Sequence, residues 1–198
     1  MPQQVKITKK EPLQNARFIT PVRLFYTQSG KEKSWEAIES HNSVAILLYH
    51  REKEAFVLVK QLRITTLLNN DEKDGYTYEL CAGIVDKEKS LAQIAKEEIA
   101  EECGYDVNVS DIQRVTSYYT SVGFSGAKQT MFYAEVDESM RFSDGGGIEE
   151  EEIEVVFLPL KEAKQFMFDE KYKKTPGLMM AFYWFFDTIP YGKEKKEH

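Results

Sequence analysis

The segment Ala82–Tyr105, AGIVDKEKSLAQIAKEEIAEECGY, decides how the rest of the chain is read. Ser90 is followed three residues later by Gln93, the spacing of a capping box, and Gly104 stands where a helix would stop. The spacing therefore predicts a helix over Leu91–Cys103. At about 100° per residue, Leu91, Ile94 and Ala95 mark its inward stripe, and Glu98 and Glu102 fall inside that stripe. A solvated acidic helix with ragged amphipathicity would give a similar run of charge. Two carboxylates aimed at a core, however, carry a desolvation cost that a cation between them would offset. Oxygen ligands of this kind suit a hard ion, Mg²⁺ or Mn²⁺, which keeps some of its waters and meets substrate phosphates.

Around this helix the chain alternates between apolar runs and turn signals. SVAILLYH and EAFVLVKQLR, separated by the charged turn REKE, predict a hairpin of two buried strands. YTYELCAGIV reads as a single strand delivering Ala82 and Gly83 to the helix. IQRVTSYYTS, AKQTMFYAEV and EIEVVFLPL are further strand candidates, followed by helices in KEAKQFMFDE and PGLMMAFYWFFDTI, the latter with Thr175 as N-cap and Pro176 at its first position. The polar stretches 65–75 and 137–147 read as mobile loops. Strands, an acidic helix, more strands and closing helices predict an α+β fold, a mixed central sheet with helices on both faces.

Composition narrows the function. The 198 residues, 42% of them hydrophobic, suffice for one well-buried domain. A net charge of −7 disfavours nucleic acid or an anionic membrane surface as the partner. Cys81 and Cys103 lack metal-ligand or disulfide-framework spacing and read as buried, reduced thiols. The N-terminal stretch shows no apolar signal segment and no run approaches a membrane span, so a cytoplasmic protein is expected.

Gly83, Glu98, Ile99, Glu101, Glu102, Gly104 and Tyr105 stand at the spacings of the Nudix box, G-x5-E-x7-R-E-U-x-E-E-x-G-U, in a strand-loop-helix context. The chain resembles the Nudix hydrolase family from about Phe18 to Pro190, and most of all its branch of ADP-ribose and UDP-sugar pyrophosphatases. KSWEAIESHNSV, VLVKQLR, YELCAGIVD, SVGFSGAKQTMFY and GGGIEEEEIEVVFLPL carry that likeness. It implies an α/β/α sandwich and a short N-terminal strand element, residues 1–40, ahead of the catalytic domain, 41–198. It also implies hydrolysis of the pyrophosphate bond of nucleoside diphosphate sugars such as UDP-glucose or ADP-ribose, with Mg²⁺ (or Mn²⁺) as cofactor.

Residue by residue, the resemblance implies metal ligation by Glu98, Glu102 and the Ala82 carbonyl, with Glu101 beside them. For the catalytic base it offers Glu151 or Glu149, Glu151 being preferred within the acidic run 149–152. Arg63 corresponds to an arginine on the diphosphate, Glu79 to a glutamate beside substrate or metal, Trp35 to an aromatic on the nucleobase, and Gly123 to the substrate loop. The branch is typically homodimeric through its N-terminal strands, and the alternation over Ala16–Trp35 fits such an intertwined dimer. Two box positions depart: Lys89 stands where Glu is usual and Glu97 where Arg is usual. An alternative expectation is therefore a metal-binding Nudix-like module with reduced or lost catalysis, in which Glu97 and Glu101, four residues apart, repel one another.

Overall fold

The computed structural model describes residues 7–15, 19–68, 74–148 and 151–190. Its centre is the predicted hairpin, β3 (Ser43–His50) and β4 (Ala55–Leu62). These strands are continuous apolar runs because both faces of the sheet are covered. Val44, Ile46 and Leu48 of β3 enter one core with Val57 and Val59, whereas Ala45 and Leu47 enter the opposite core with Phe56 and Leu58. The period-2 alternation of strand side chains thus divides one apolar string between two layers.

The remaining strands are β5 (Tyr76–Glu79), β6 (Cys81–Ile84), β7 (Gln113–Thr120), β8 (Ala127–Val136) and β9 (Ile153–Pro159). They complete a seven-stranded sheet ordered β5-β4-β3-β8-β7, with β6 also on β3 and β9 also on β4. β3 and β8 run parallel and the other pairs are antiparallel, so the sheet is mixed. One expectation is corrected here. YTYELCAGIV is two strands interrupted at Leu80, because β3 and β4 are paired only near their turn, at Leu48–His50 with Ala55–Val57. Beyond that point β5 follows β4 and β6 follows β3, so the segment changes partners between Glu79 and Cys81.

Helices α1 (Ile64–Leu68), α2 (Leu91–Glu98), α3 (Leu160–Phe168) and α4 (Pro176–Thr188) complete the layers. α2 covers the first core through Ile94 and Ala95. α4 lays Leu178, Ala181, Phe182 and Phe185, an i, i+3, i+4, i+7 stripe, on the second, where Phe182 stacks on Phe56 at 4.3 Å. Burying a side chain such as Phe182 contributes about 1.5–3 kcal/mol. Thr175 caps α4 as expected, its hydroxyl accepting from the Leu178 N–H.

At the N-terminal side, β1 (Thr20–Gln28) and β2 (Lys31–Glu39) form a separate two-stranded antiparallel sheet, as the alternation predicts. Ala16, Arg17 and Phe18 lie outside the described residues. Phe25, Leu24 and Trp35 of this hairpin are exposed. The stretches expected to be mobile loops are partly built. Residues 64–68 form α1, while 69–73 lie outside the described residues. Glu138–Met140 form a 3-10 turn.

Candidate active site

α2 begins where the capping box placed it, with the Ser90 hydroxyl accepting from the Gln93 N–H at 3.2 Å. It does not run unchanged to Cys103: from Ile99 to Cys103 the backbone is a π-helix, and Gly104 closes it at φ 76°. Wide turns of this type are concentrated at functional sites. Here the change has a visible use for orphan carbonyls. Glu101 O and Glu102 O accept from the Gly147 and Gly146 N–H groups at 3.1 and 2.9 Å, so the end of the helix is held by the 145–147 glycine loop. The positive φ values of Gly145, Gly146 and Gly147, from 70° to 111°, allow that loop to fold back on the helix. Hence 137–147 is a clamp, not a free loop, and it delivers Ile148 and Glu151 to the carboxylates.

The result is a cleft of about 480 Å³ into which Arg63, Glu79, Ala82, Glu98, Glu101, Glu102 and Glu151 all open. These come from β4's end, β5, β6, the α2–π helix and the segment before β9, so the structure gathers residues that are up to 88 positions apart in sequence, Arg63 to Glu151. Glu102 is buried, and its carboxylate accepts from the Ala82 N–H at 2.9 Å. Glu98 lies directly on the Gly83 backbone: a Cβ at residue 83 would overlap its carboxylate and stand 2.6 Å from its Cγ. The box glycine is required for that close approach.

Burial, with the Glu101 charge next in importance, pushes Glu98 up to about 7. Burial pushes Glu102 up to about 8, against the pull of the Ala82 N–H and the Cys81 thiol. Among the described residues no group of three His, Cys, Asp or Glu side chains is arranged to hold a metal by itself. The donor set that does converge is two carboxylates beside the Ala82 backbone, and its excess negative charge suits a hard divalent ion completed by waters and phosphate.

Arg63 forks onto Glu79, its Nε and one Nη donating at 2.8 and 2.9 Å, and the Thr77 hydroxyl donates to the same carboxylate at 2.6 Å. The Arg63–Glu79 hydrogen bonding is the main reason why Arg63 is held above its ordinary pKa. Two of five guanidinium N–H groups are used in this way, leaving three for another anion. Lys87 also lines the cleft, a cation that the sequence did not single out because its only local signal is a charge in a polar turn. Glu149 lies outside the described residues. Glu151 accepts from the Ile148 N–H at 3.1 Å and is exposed.

Trp35 and Gly123 are not among the cleft's lining residues. They meet each other instead, the indole N–H donating to the Gly123 carbonyl at 2.9 Å. Ile38 N–H to Phe124 O, 2.7 Å, adds to this seam between the hairpin and the 121–126 turn.

The two departures from the box are also placed together, which corrects the expected repulsion between Glu97 and Glu101. Lys89 Nζ donates to Glu97 at 2.6 Å, and Lys87 stands 3.7 Å from the other carboxylate oxygen. Glu97 is accordingly held below the usual carboxylate range, chiefly by the Lys89 hydrogen bond. The residues at the two departing positions thus neutralise each other. Glu97→Arg should therefore lower the melting temperature and slow turnover several-fold, and so should Lys89→Glu. The double variant Lys89→Glu/Glu97→Arg should recover both. Additive losses in that double-variant cycle would refute the pairing.

Comparison with known proteins follows the same lines. The NUDIX domain profile matches residues 39–177. The chain is 40% identical to the uridine diphosphate glucose pyrophosphatase of Bos taurus over 202 aligned positions, covering 88% of this chain and 91% of that protein. It is 37% identical to the uridine diphosphate glucose pyrophosphatase of Mus musculus, covering 87% and 90%. Against the GDP-mannose pyrophosphatase of Cronobacter sakazakii the identity is 42%, over 65% of each chain.

Proposed function

Because the chain belongs to the Nudix family, we propose that it hydrolyses the pyrophosphate bond of nucleoside diphosphate sugars. UDP-glucose would give UMP and glucose 1-phosphate, and ADP-ribose would give AMP and ribose 5-phosphate. The observation that carries this reading is the convergence of Glu98, Glu102 and Ala82 with Arg63 and Lys87 in one cleft, carboxylates for a cation beside cations for a diphosphate. The names of the relatives, which act on UDP-glucose and GDP-mannose, point to the same substrate class.

Nudix hydrolases use divalent metal ions, and Mg²⁺, with Mn²⁺ as substitute, fits an all-oxygen donor set. Glu98, Glu102 and the Ala82 carbonyl would hold it. When bound, it supplies Lewis acidity toward the phosphate oxygens and lowers the pKa of water. Arg63 uses its remaining N–H groups, and Lys87 its ammonium, to bind and orient the diphosphate. Glu151 accepts the proton of the attacking water as oxygen attacks one phosphorus and the bridging P–O bond breaks. Glu101 adds to the negative field that raises Glu98. The Lys89–Glu97 pair neutralises the carboxylate at the usual Arg position, which favours an active enzyme over a module that has lost catalysis.

Phosphate-ester release from UDP-glucose, GDP-mannose and ADP-ribose, with and without Mg²⁺, tests this. Turnover should need the metal and yield the two monophosphates. Metal binding without turnover of any of them would favour the non-catalytic module.

The reading extends to assembly and place. The exposed apolar side chains Phe25, Leu24 and Trp35 make β1–β2 an element for a homodimer, Trp35 then lying near the partner's site, with residues 1–40 serving dimerisation and 41–198 catalysis. A monomer by light scattering at micromolar concentration would end that idea. No helix of the described residues is long and apolar enough to cross a membrane, and Cys81 and Cys103 are free thiols. Reduced, buried thiols fit a cytoplasmic enzyme.

A further inference from the structure

Thr77 is 8% exposed and does not line the carboxylate cleft, but its hydroxyl donates to a residue that does. Strand pairing sets it there. Gln61 of β4 lies opposite Thr77 of β5 and Val59 lies opposite Glu79, so these four residues share one face of the sheet. Arg63 follows two residues after Gln61, and its backbone is fixed on both sides. Its N–H donates to the Gly75 carbonyl at 2.8 Å, and its own carbonyl accepts from the Thr66 N–H and hydroxyl at 2.9 and 2.8 Å. From that anchor the Arg63 side chain reaches back along the strands to Glu79, past the level of Thr77. Glu79 Oε1 accepts from the Thr77 hydroxyl at 2.6 Å and from Arg63 Nε at 2.8 Å, and Oε2 accepts from an Arg63 Nη at 2.9 Å. Of these three bonds, the one from Thr77 alone is independent of Arg63.

Resting on the pyrophosphatase reading above, we propose that Thr77 is a positioning residue for the diphosphate: its hydroxyl holds the Glu79 carboxylate turned to Arg63, so that the remaining guanidinium N–H groups stay presented to the cleft. Charge makes this hold necessary. A diphosphate attracts the guanidinium and repels the Glu79 carboxylate, and both forces pull the fork apart. A carboxylate tied to a third donor keeps its place when that happens. One held by Arg63 alone is free to turn away, and the long arginine side chain then loses the fixed end that orients it. Threonine suits the task, since branching at Cβ restricts χ1 and a hydroxyl bonded to a carboxylate is a strong, charge-assisted donor. Loss of the hydroxyl leaves neither Glu79 oxygen without a partner, because both Arg63 bonds remain, so the effect falls on the site and not on the fold.

Thr77→Val keeps the shape and branching of the side chain and removes the hydroxyl, whereas Thr77→Ser keeps the hydroxyl. With UDP-glucose and saturating Mg²⁺, Thr77→Val should raise KM by about tenfold and leave kcat within about threefold of wild type, the proposed metal ligands and Glu151 being untouched. Thr77→Ser should bring KM back to within about twofold of wild type. A lowered kcat and melting temperature with KM unchanged would assign Thr77 a structural role and overturn the proposal, and so would a Thr77→Ser variant as impaired as Thr77→Val. If Thr77→Val does not fold, the smaller Thr77→Ala takes its place with the same expected split. Calorimetric titration of the full chain with methylenediphosphonate and Mg²⁺ reads the same device without turnover. Affinity should fall by about tenfold in Thr77→Val and recover in Thr77→Ser, and equal affinity in all three proteins would contradict the proposal. The two readings fail separately: a wild-type protein that cleaves no nucleoside diphosphate sugar, yet shows this pattern of diphosphonate binding, would lose the hydrolase reading and keep the role of Thr77.

Discussion

Glu102→Gln should reduce turnover of nucleoside diphosphate sugars by roughly 10³-fold or more, because it withdraws a carboxylate from the proposed cation site while keeping the shape of the side chain. The same change should leave the fold intact and raise the melting temperature of the metal-free protein. Glu102 is 5% exposed and is pushed to about 8 by its burial, so a neutral amide costs less there than a carboxylate. The Ala82 N–H still finds an acceptor in the amide oxygen. Assays of activity and thermal denaturation on one preparation check both halves. Loss of activity with a lowered melting temperature would mean that Glu102 is mainly structural.

Gly83→Ala is expected to have the second-largest effect, although it adds a single methyl group and changes no charge. The new Cβ would occupy the space of the Glu98 carboxylate, and nothing at the end of a flexible chain other than Glu98 itself can give way. Displacing a reacting constellation by about 1 Å can cost about 10²-fold in rate. The expected result is therefore a fall of that order in kcat at saturating metal, with the β6–β3 pairing retained. Activity within a few-fold of wild type would show that Glu98 works equally well off the Gly83 backbone and that its position is not critical.

How much of this could be read in the sequence depends on the range of the interaction involved. The β3–β4 hairpin, the Ser90 cap and the Gly104 stop are local features, and each is encoded within a few residues. The inward direction of Glu98 and Glu102 follows from helical periodicity and survives the change to a π-helix after Glu98. That change itself left no mark in the pattern of apolar residues. Its carbonyls are satisfied by Gly146 and Gly147, some 45 residues away in sequence. The interruption at Leu80 was equally hidden, since it reflects where β3 and β4 part company and not any turn residue in YTYELCAGIV. Lys89 and Glu97 were legible singly as departures from a motif. Their pairing depends on how the loop 85–90 returns over α2, which only the folded chain shows. Gln129 gave no signal at all, being an ordinary residue on a strand until the sheet sets it in the lining of the cleft.

The central claim, that Glu98 and Glu102 form a cation site held at an electrostatic cost in the metal-free state, is tested most directly by thermal denaturation of metal-stripped protein from pH 5 to pH 8, with and without Mg²⁺. Both groups have an ordinary value of 4.5 when unfolded and are raised to about 7 and about 8 in the fold. Between those limits the folded chain retains protons that the unfolded chain has released. Their contribution is therefore fully present below pH 4.5 and is lost as pH rises through 7 and 8. The loss should be on the order of 2 kcal/mol, or about 5 °C in melting temperature for a chain of this size. Mg²⁺ at pH 8 should restore it, and the Glu98→Gln/Glu102→Gln double variant should show neither the decline nor the rescue. Stability that holds steady or rises from pH 5 to pH 8, or Mg²⁺ rescue that persists in the double variant, would contradict the account.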